Sequence, residues 1–251
     1  GVLAYYIPEF SHIIAQVQFD LYPVYTTDEH SLKTLGLIEM PEQIVLATAA
    51  LFHDVGKGRG GKHEFVGAEL VKKITENLCM SPAEANDVVW LVQHHILMAN
   101  TAFKRDIFDP QTIDDFVKTV QSPERLRKLY ALTKADIQAV GPNVWTSFKD
   151  NLLSNLFSLT LKAMQGQDVS IQQLTENELE LEKLKDTLDY QFKVSVDPNK
   201  EFSEFNVLAP DYDGLFAHIT GVMASNDVSI VSAKIMTLDN HMALDTFLIT
   251  E

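Results

Sequence analysis

The stretch from residue 44 to residue 63 constrains this chain more than any other. Ile44-Val45-Leu46-Ala47 through Ala49-Ala50-Leu51-Phe52 is apolar nearly all round, and it runs straight into His53-Asp54-Val55-Gly56-Lys57-Gly58-Arg59-Gly60-Gly61-Lys62-His63. A helix without a polar face must be buried on every side, so residues from about 41 to 55, opening at Pro41, are expected to form a central core helix. That helix would end by presenting His53 and Asp54. The four glycines that follow lack a Cβ and tolerate positive φ, which predicts a loop whose backbone can approach a ligand closely.

The rest of the first 165 residues reads as helical. Asp28 is a candidate N-cap for a helix through Leu32, Leu35 and Leu37, with His30 in its first turn. Val66, Leu70, Ile74 and Leu78 recur every four residues, giving an amphipathic helix that opens at or near His63. Ser81-Pro82-Ala83-Glu84 is a capping box with proline at the first helical position, and the helix it opens delivers His94 and His95. Residues 100–109 read as polar and irregular. Asp109-Pro110 and Ser122-Pro123 mark two further starts, the second leading to Asp136, and a last helix covers about 143–164. Trp90, Trp145, Cys79 and Met80 are read as packing residues, and His12, His218 and His241 as structural or exposed.

Beyond Gly166 the pattern changes. Residues 166–190 hold seven acids against two lysines, which predicts a solvated helix or linker between domains. Phe192, Val194 and Val196 then alternate with polar residues, a turn follows at Asp197-Pro198-Asn199-Lys200, and Phe202, Phe205, Val207 and Leu208 give a second strand. Leu215, Phe216, Ile219, Val222 and Met223 return to helical spacing. Val228 to Ile235 and Ala243 to Ile249 read as two more strands around an Asp239-Asn240 turn. The expected architecture is multi-domain: an all-α domain over 1–165, a charged linker or helix over 166–190, and a smaller α/β domain with β-α-β-β order over 191–251.

The formal charge of -15 argues against nucleic acid or an anionic membrane as a partner, because phosphate contacts need clustered Lys and Arg. One cysteine excludes an internal disulfide and fits a reducing, cytoplasmic setting. No apolar run approaches the roughly 18 residues of a spanning helix. Gly1 at the start and a strand pattern at the end suggest a piece of a longer protein. Five of the eight histidines, His30, His53, His63, His94 and His95, fall between residues 30 and 136, the segment that also holds Asp54 and Asp136. Four of them lie at a helix end or opening turn, where side chains can converge on one cleft. Imidazole with carboxylate suits Zn, Mn, Fe or Co, with Mg also compatible where carboxylate and water dominate.

His30, His53-Asp54 and Asp136 together resemble the HD superfamily of metal-dependent phosphohydrolases. The resemblance extends further, to the bifunctional uridylyltransferase/uridylyl-removing enzymes that act on the PII nitrogen-regulatory protein. It is carried by residues 53–63, Tyr25-Thr26-Thr27-Asp28-Glu29-His30, Leu91-Val92-Gln93-His94-His95 and Ala135-Asp136-Ile137-Gln138-Ala139-Val140-Gly141-Pro142. Residues 205–250 are similar to the first ACT domain of those enzymes, a ferredoxin-like fold, through Asp211-Tyr212-Asp213-Gly214-Leu215-Phe216-Ala217 and Ala243-Leu244-Asp245-Thr246-Phe247.

The resemblance implies a divalent-metal-dependent hydrolysis that removes UMP from uridylylated PII. Carried over by position, His30, His53, Asp54 and Asp136 would be metal ligands. His63, His94 and His95 would hold a second ion or face the phosphate, so one or two ions are expected, with Mg or Mn favoured. His53, Asp54, Lys57 and His63 are the candidate catalytic groups, and Lys57, Arg59, His94 and His95 the candidate substrate contacts. The ACT part implies glutamine as an effector, near Asp211, Gly214 and Asn226. It carries Asp213 where the family usually has proline, and the second helix and fourth strand of a full ACT fold are not expected within the chain. The nucleotidyltransferase signature is absent from the sequence as well. Two other readings compete. One is a guanosine tetraphosphate hydrolase, whose His-Asp pair is typically followed by Glu-Asp where this chain has Gly56-Lys57. The other is a non-catalytic glutamine-sensing module, against which the complete ligand set argues.

Overall fold

The computed structural model describes residues 2–17, 25–38, 44–142, 144–167, 176–184, 190–196, 202–238 and 240–250. The chain divides into two compact units, Gly1–Ser170 and Ile171–Glu251. The structure bears out the expected class, a helical domain followed by a small α/β domain.

The first unit opens with α1 (Val2–Tyr6) and a 3₁₀ turn at Pro8–Ile13. The longer helices are α2 (Thr27–Gly36), α3 (Ile44–Phe52), α4 (His63–Asn77), α5 (Pro82–His94), α6 (Leu97–Lys104), α7 (Pro110–Val120), α8 (Pro123–Ala139) and α9 (Ser147–Met164). Their starts follow from side-chain caps. Ser81 Oγ accepts the Glu84 N–H while Glu84 Oε2 takes the Ser81 N–H at 2.9 Å, and Asp109, Ser122 and Thr146 cap α7, α8 and α9. Two expectations are corrected. The N-cap of α2 is Thr26, because Glu29 returns to its backbone N–H, and Asp28 instead accepts from the Ala15 N–H and from Thr26 Oγ1. Residues 97–104 are helical as α6, since Met98 and Ala102 bury one face and only 105–109 remain irregular. Pro41 lies outside the described residues.

The apolar helix α3 sits in the core as its composition requires. Leu46, Ala49, Ala50 and Phe52 are buried, Phe10 meets Phe52 edge-on, and Leu91 and Val92 of α5 and Leu129 and Leu132 of α8 belong to the same cluster. Trp90, Trp145 and Met80 pack against it from the side, whereas Cys79 is exposed, in the left-handed position just after α4 at φ 54°. Among the described residues no helix is long and apolar enough to cross a membrane.

The second unit is a four-stranded antiparallel sheet of β1 (Gln191–Val196), β2 (Ser203–Pro210), β3 (Ser229–Lys234) and β4 (Met242–Thr250), in the order β1-β2-β4-β3. α10 (Glu176–Glu182) covers one face and α11 (Leu215–Ser225) the other. The charged stretch is thus no simple linker. Leu181 of α10 is buried against Leu208, Met242 and Leu244, and Glu178 is fully buried, bonded to Lys234 Nζ at 2.9 Å and to Thr246 Oγ1 at 2.5 Å. A buried carboxylate needs such partners to offset its lost hydration. On the other face Leu215 and Ile219 pack on Val207, Ala209 and Ala243, and Phe216 stacks on Phe247. The expected turns at 197–200 and at Asp239 lie outside the described residues, in whole and in part.

Asp245 is the exception in this sheet. It is 2% exposed, and its Oδ1 has no hydrogen-bond partner. Burial pushes its carboxyl up to about 6, against a hydrogen bond from the Met236 backbone, and nearby Asp211 pushes in the same direction as burial. A carboxyl whose folded pKa exceeds its unfolded value stabilises the fold fully below the unfolded pKa, and that stabilisation is lost as pH rises through about 6. Protection factors of the β4 amides, taken relative to intrinsic exchange at each pH, are therefore expected to be higher at pH 5 than at pH 7.5, and Asp245→Asn should flatten the difference. An unchanged pH slope in that variant would assign it to another group.

Candidate metal centre

Asp54 is the hub of the first unit's polar interior. The chain leaves α3 at Phe52 and turns tightly, Val55 N–H bonding to Phe52 O and Lys57 N–H to Asp54 O. This turn puts the side chains of His53 and Asp54, 0% and 1% exposed, inside the protein. Gly56 is what allows α4 to close over it. A Cβ at Gly56 would lie 2.1 Å from His63 O and 2.5 Å from Gly67 N, and one at Gly67 would lie 3.2 Å from Val92 Cγ1. The two glycines let the backbones of the turn, of α4 and of α5 meet, which brings His63 at the start of α4 and His95 at the end of α5 to Asp54.

Four imidazoles reach that carboxylate. His53 Nε2 lies 3.3 Å and His30 Nε2 3.7 Å from Asp54 Oδ2, and His63 Nε2 and His95 Nε2 lie 3.6 and 3.7 Å from Oδ1. Asp136, from α8, stands across from α2 with its Oδ1 2.8 Å from His30 Nε2 and 3.4 Å from His53 Nε2. Lys57 Nζ is 2.6 Å from Asp54 Oδ2. Two triads share Asp54: His30, His53 and Asp54, and Asp54, His63 and His95, each with ligand atoms within 4.8 Å of one another.

The hydrogen bonds behind the cluster decide what it offers. His53 Nδ1 donates to Ala50 O at 2.8 Å and His95 Nδ1 to Val92 O at 2.7 Å. Each bond holds the ring proton on Nδ1, so in the neutral tautomer the Nε2 lone pair faces Asp54. His30 and His53 present Nε2 atoms 3.2 Å apart, as do His63 and His95. Converging lone pairs beside the buried Asp54 and the half-buried Asp136 fit a divalent cation, and backbone acceptors behind ligating imidazoles are the usual support for one. The titration of the cluster says the same. Burial disfavours a charged His53, yet Asp54 and Asp136 outweigh it and raise its pKa to about 10. Burial, with the neighbouring His53 charge, pulls His95 down to about 4. Asp54 and Asp136 stay well below the usual carboxylate range despite burial, chiefly because of His53. The site demands positive charge, and a bound cation would supply it while leaving the histidines neutral.

Not every candidate joins. The His94 ring stacks on Trp90 at 4.6 Å and its Nδ1 bonds to Trp90 O, and its position is beside the cluster rather than in either triad. Arg59 reaches Glu9 O at 3.0 Å. His12 lies 3.3 Å from Gly58 O, which ties the N-terminal segment to the glycine loop. Nothing in the sequence pattern signalled these tertiary bonds. Glu64, 8% exposed with Oε2 3.5 Å from His63 Nδ1, stands behind His63, and nothing in the sequence distinguishes it from other acids in a first helical turn. In the second unit, Asp211 accepts from Thr237 Oγ1 and Gly214 is the N-cap of α11 at φ 94°. Asn226 ends the same helix, about 18 Å away at 1.5 Å per residue. A small ligand bound at Asp211 and Gly214 would not touch it.

Comparison with known proteins agrees with this geometry. The family model described as "HD domain" matches residues 27–136. The chain is 33% identical to a bifunctional uridylyltransferase/uridylyl-removing enzyme of Azospirillum brasilense, with all of this chain and 34% of the relative covered. It is 36% identical to those of Gluconobacter oxydans and Rhodospirillum rubrum, covering 98% of this chain and 33% of each relative. The chain spans about a third of the length of the curated relatives it matches.

Metal addition should raise the thermal midpoint of the first unit. At a free concentration about 100 times Kd the stabilisation expected is about 2.7 kcal/mol. Asp54→Asn keeps the volume, removes the shared charge, and should abolish that shift and any hydrolysis while the helical circular dichroism signal stays. A metal-induced shift that survives in Asp54→Asn would show that the triads do not bind it. Separately, Gly56→Ala should cost at least about 2 kcal/mol in urea unfolding, since its Cβ meets backbone atoms that cannot swing away.

Proposed function

From the premise that this chain is an HD-domain protein, similar along its whole length to part of the bifunctional uridylyltransferase/uridylyl-removing enzymes, we propose that its first unit hydrolyses the phosphodiester joining UMP to a tyrosine of a PII-type protein. The observation that carries the reading is the pair of triads sharing Asp54, a site able to hold one or two divalent ions beside a lysine. Mg or Mn is the expected metal. When bound, such ions polarise the phosphoryl group and lower the pKa of water, so that a nucleophile exists at neutral pH.

The remaining steps fall to the chain's own groups. Water adds its oxygen to phosphorus, the bond from phosphorus to the tyrosine oxygen breaks, and UMP and a free phenol result. His30, His53, Asp54 and Asp136 hold the ion, and His95, buried, completes the second triad. Lys57, fixed by Asp54, supplies positive charge for a non-bridging oxygen. With one ion bound, His63, partly exposed where the cluster meets solvent, would not be a ligand and is the group we assign to deliver a proton to the departing oxygen. Phenolate, with a pKa of about 10, needs only modest help in leaving. Arg59, bonded to the Glu9 carbonyl, would have to leave that partner to reach substrate, so Lys57 takes the larger share.

A cation beside Asp54, rather than a further carboxylate, distinguishes this site from the guanosine tetraphosphate hydrolase pattern. The second unit is assigned the sensing of glutamine at the loop Asp211-Tyr212-Asp213-Gly214, where the α11 N-terminus offers free N–H groups to a carboxylate. The charge of Asp213 opposes that contact.

Uridylylated PII incubated with the protein and Mn should release UMP, chelator should stop the release, and Lys57→Ala should lower kcat/KM about 10–100-fold. Release of pyrophosphate from guanosine tetraphosphate, with none of UMP from PII, would replace this reading by its competitor.

A further inference from the structure

The motif that ends in Asp136 continues as Ile137-Gln138-Ala139-Val140-Gly141-Pro142, and the metal centre uses only its first acid. Gln138, Ala139, Gly141 and Pro142 of it line a cavity of about 510 Å³ with Tyr25, Lys33 and Leu37. Its position is set by the helices that carry the ligands. His30 and Asp136 face each other at 2.8 Å across the packed pair α2 and α8. Lys33 and Ala139 each lie one turn further along their helices, and Leu37 and Pro142 border the cavity nearly a turn beyond that. Gln138 is two residues past Asp136, about 3 Å along α8 at 1.5 Å per residue, and Tyr25 reaches the cavity from just before the N-cap of α2. It adjoins that end of the cluster, while His63 and His95 mark the other.

Its chemistry suits a flat heterocycle. The Tyr25 ring is half-buried, with Lys33 Nζ 4.1 Å from its centroid, so one aromatic face is already held under a cation. Leu37 and Pro142 supply apolar edges. The half-buried Gln138 carries both a donor and an acceptor in one plane, the pattern needed to read the alternating carbonyl and N–H edge of a pyrimidine. A phosphate is disfavoured in this place. α2 ends at Gly36 and α8 at Ala139, so both helices turn their negative ends towards the cavity, and Lys33 sits in the last turn of α2, where its charge is complementary to that end. Two helix C-termini favour a ligand that brings N–H groups and no negative charge.

We propose that this cavity is the nucleoside subsite of the hydrolase, with the base stacked on Tyr25 and its polar edge read by Gln138. The inference rests on the phosphodiesterase reading above. A nucleotide diester would then lie with its phosphorus at Asp54, its ribose across the His30–Asp136 pair, its base in the cavity, and its tyrosine side towards His63. Uracil is the base expected, because the relatives of this chain are named as uridylyl-removing enzymes.

The test uses the whole chain loaded with Mn and two chromogenic diesters: uridine 5′-(p-nitrophenyl phosphate), and bis(p-nitrophenyl) phosphate, which has no nucleoside. The quantity read is the ratio of kcat/KM for the first to that for the second. Gln138→Ala and Tyr25→Ala should each lower this ratio at least tenfold, mainly through KM, and should weaken inhibition by UMP to the same extent. Tyr25→Phe should retain the ratio, since stacking needs the ring and not the hydroxyl; it also keeps the test alive if Tyr25→Ala does not fold. Hydrolysis of both diesters with the ratio unchanged in Gln138→Ala and Tyr25→Ala would overturn the subsite and leave the phosphodiesterase reading intact. Hydrolysis of neither by the unaltered protein would overturn the reading itself, and the subsite with it. A matching thymidine, cytidine and adenosine series separates base recognition from ribose recognition, and equal ratios for all bases would overturn the role given to Gln138.

Discussion

The carboxylate of Asp54, 1% exposed, is the constraint on which the first unit depends. An ionised group taken from water loses hydration worth many kcal/mol unless charge and hydrogen bonds replace it. The protein replaces it from four directions: His30 from α2, His53 beside it, His63 from the start of α4 and His95 from the end of α5, with Lys57 on the glycine loop. Each element that supplies a partner is thereby fixed against α3. The arrangement that makes the carboxylate tolerable is also one suited to a cation, so the electrostatic requirement of folding and that of a metal site coincide.

Close approach is what delivers those partners. With a side chain at position 56 the turn and α4 would have to move apart, carrying His63 away from Asp54. On the outer side the loop is tied down by Arg59 on the Glu9 carbonyl and by His12 at the Gly58 carbonyl. The N-terminal segment thus braces a loop that glycine alone would leave loose. The second unit handles buried charge in another way. Glu178 is matched by Lys234 and Thr246, whereas Asp245 is buried with one oxygen unmatched. The first stabilises the packing of α10 on the sheet, and the second makes that sheet sensitive to pH.

Where the sequence was legible, a local rule was at work. Ser81-Pro82-Ala83-Glu84 opens α5, Asp109-Pro110 and Ser122-Pro123 open α7 and α8, and His63 begins α4, because caps and proline act within one turn. Period-two alternation located β1 and β2 for the same reason. Asp28 reads as the cap of α2 by residue type alone; the pairing of Thr26 with Glu29 three residues on is the capping box that takes its place, and Asp28 turns to Ala15 instead. The α10 segment reads as a solvated helix or linker, and its burial is not legible, because Glu178 is indistinguishable from its acidic neighbours until Lys234 and Thr246, more than fifty residues away, come to meet it.

The sequence by itself determined that a helix apolar on all sides must be buried, that it ends in a histidine and an aspartate, and that glycines follow. It also determined that a helical unit precedes an α/β one. These are consequences of hydrophobicity, of backbone freedom and of spacing, all readable along the chain. Only the tertiary structure decided which histidines share Asp54. His94 and His95 are neighbours in sequence on the last turn of α5, yet a rotation of about 100° per residue sends one to Trp90 and the other to the carboxylate. Only the tertiary structure likewise set α2 beside α8, so that Tyr25 and Gln138, more than a hundred residues apart, border one cavity. Chemistry of this kind lives in distances between elements, and those are fixed by packing rather than by any pattern within a single segment.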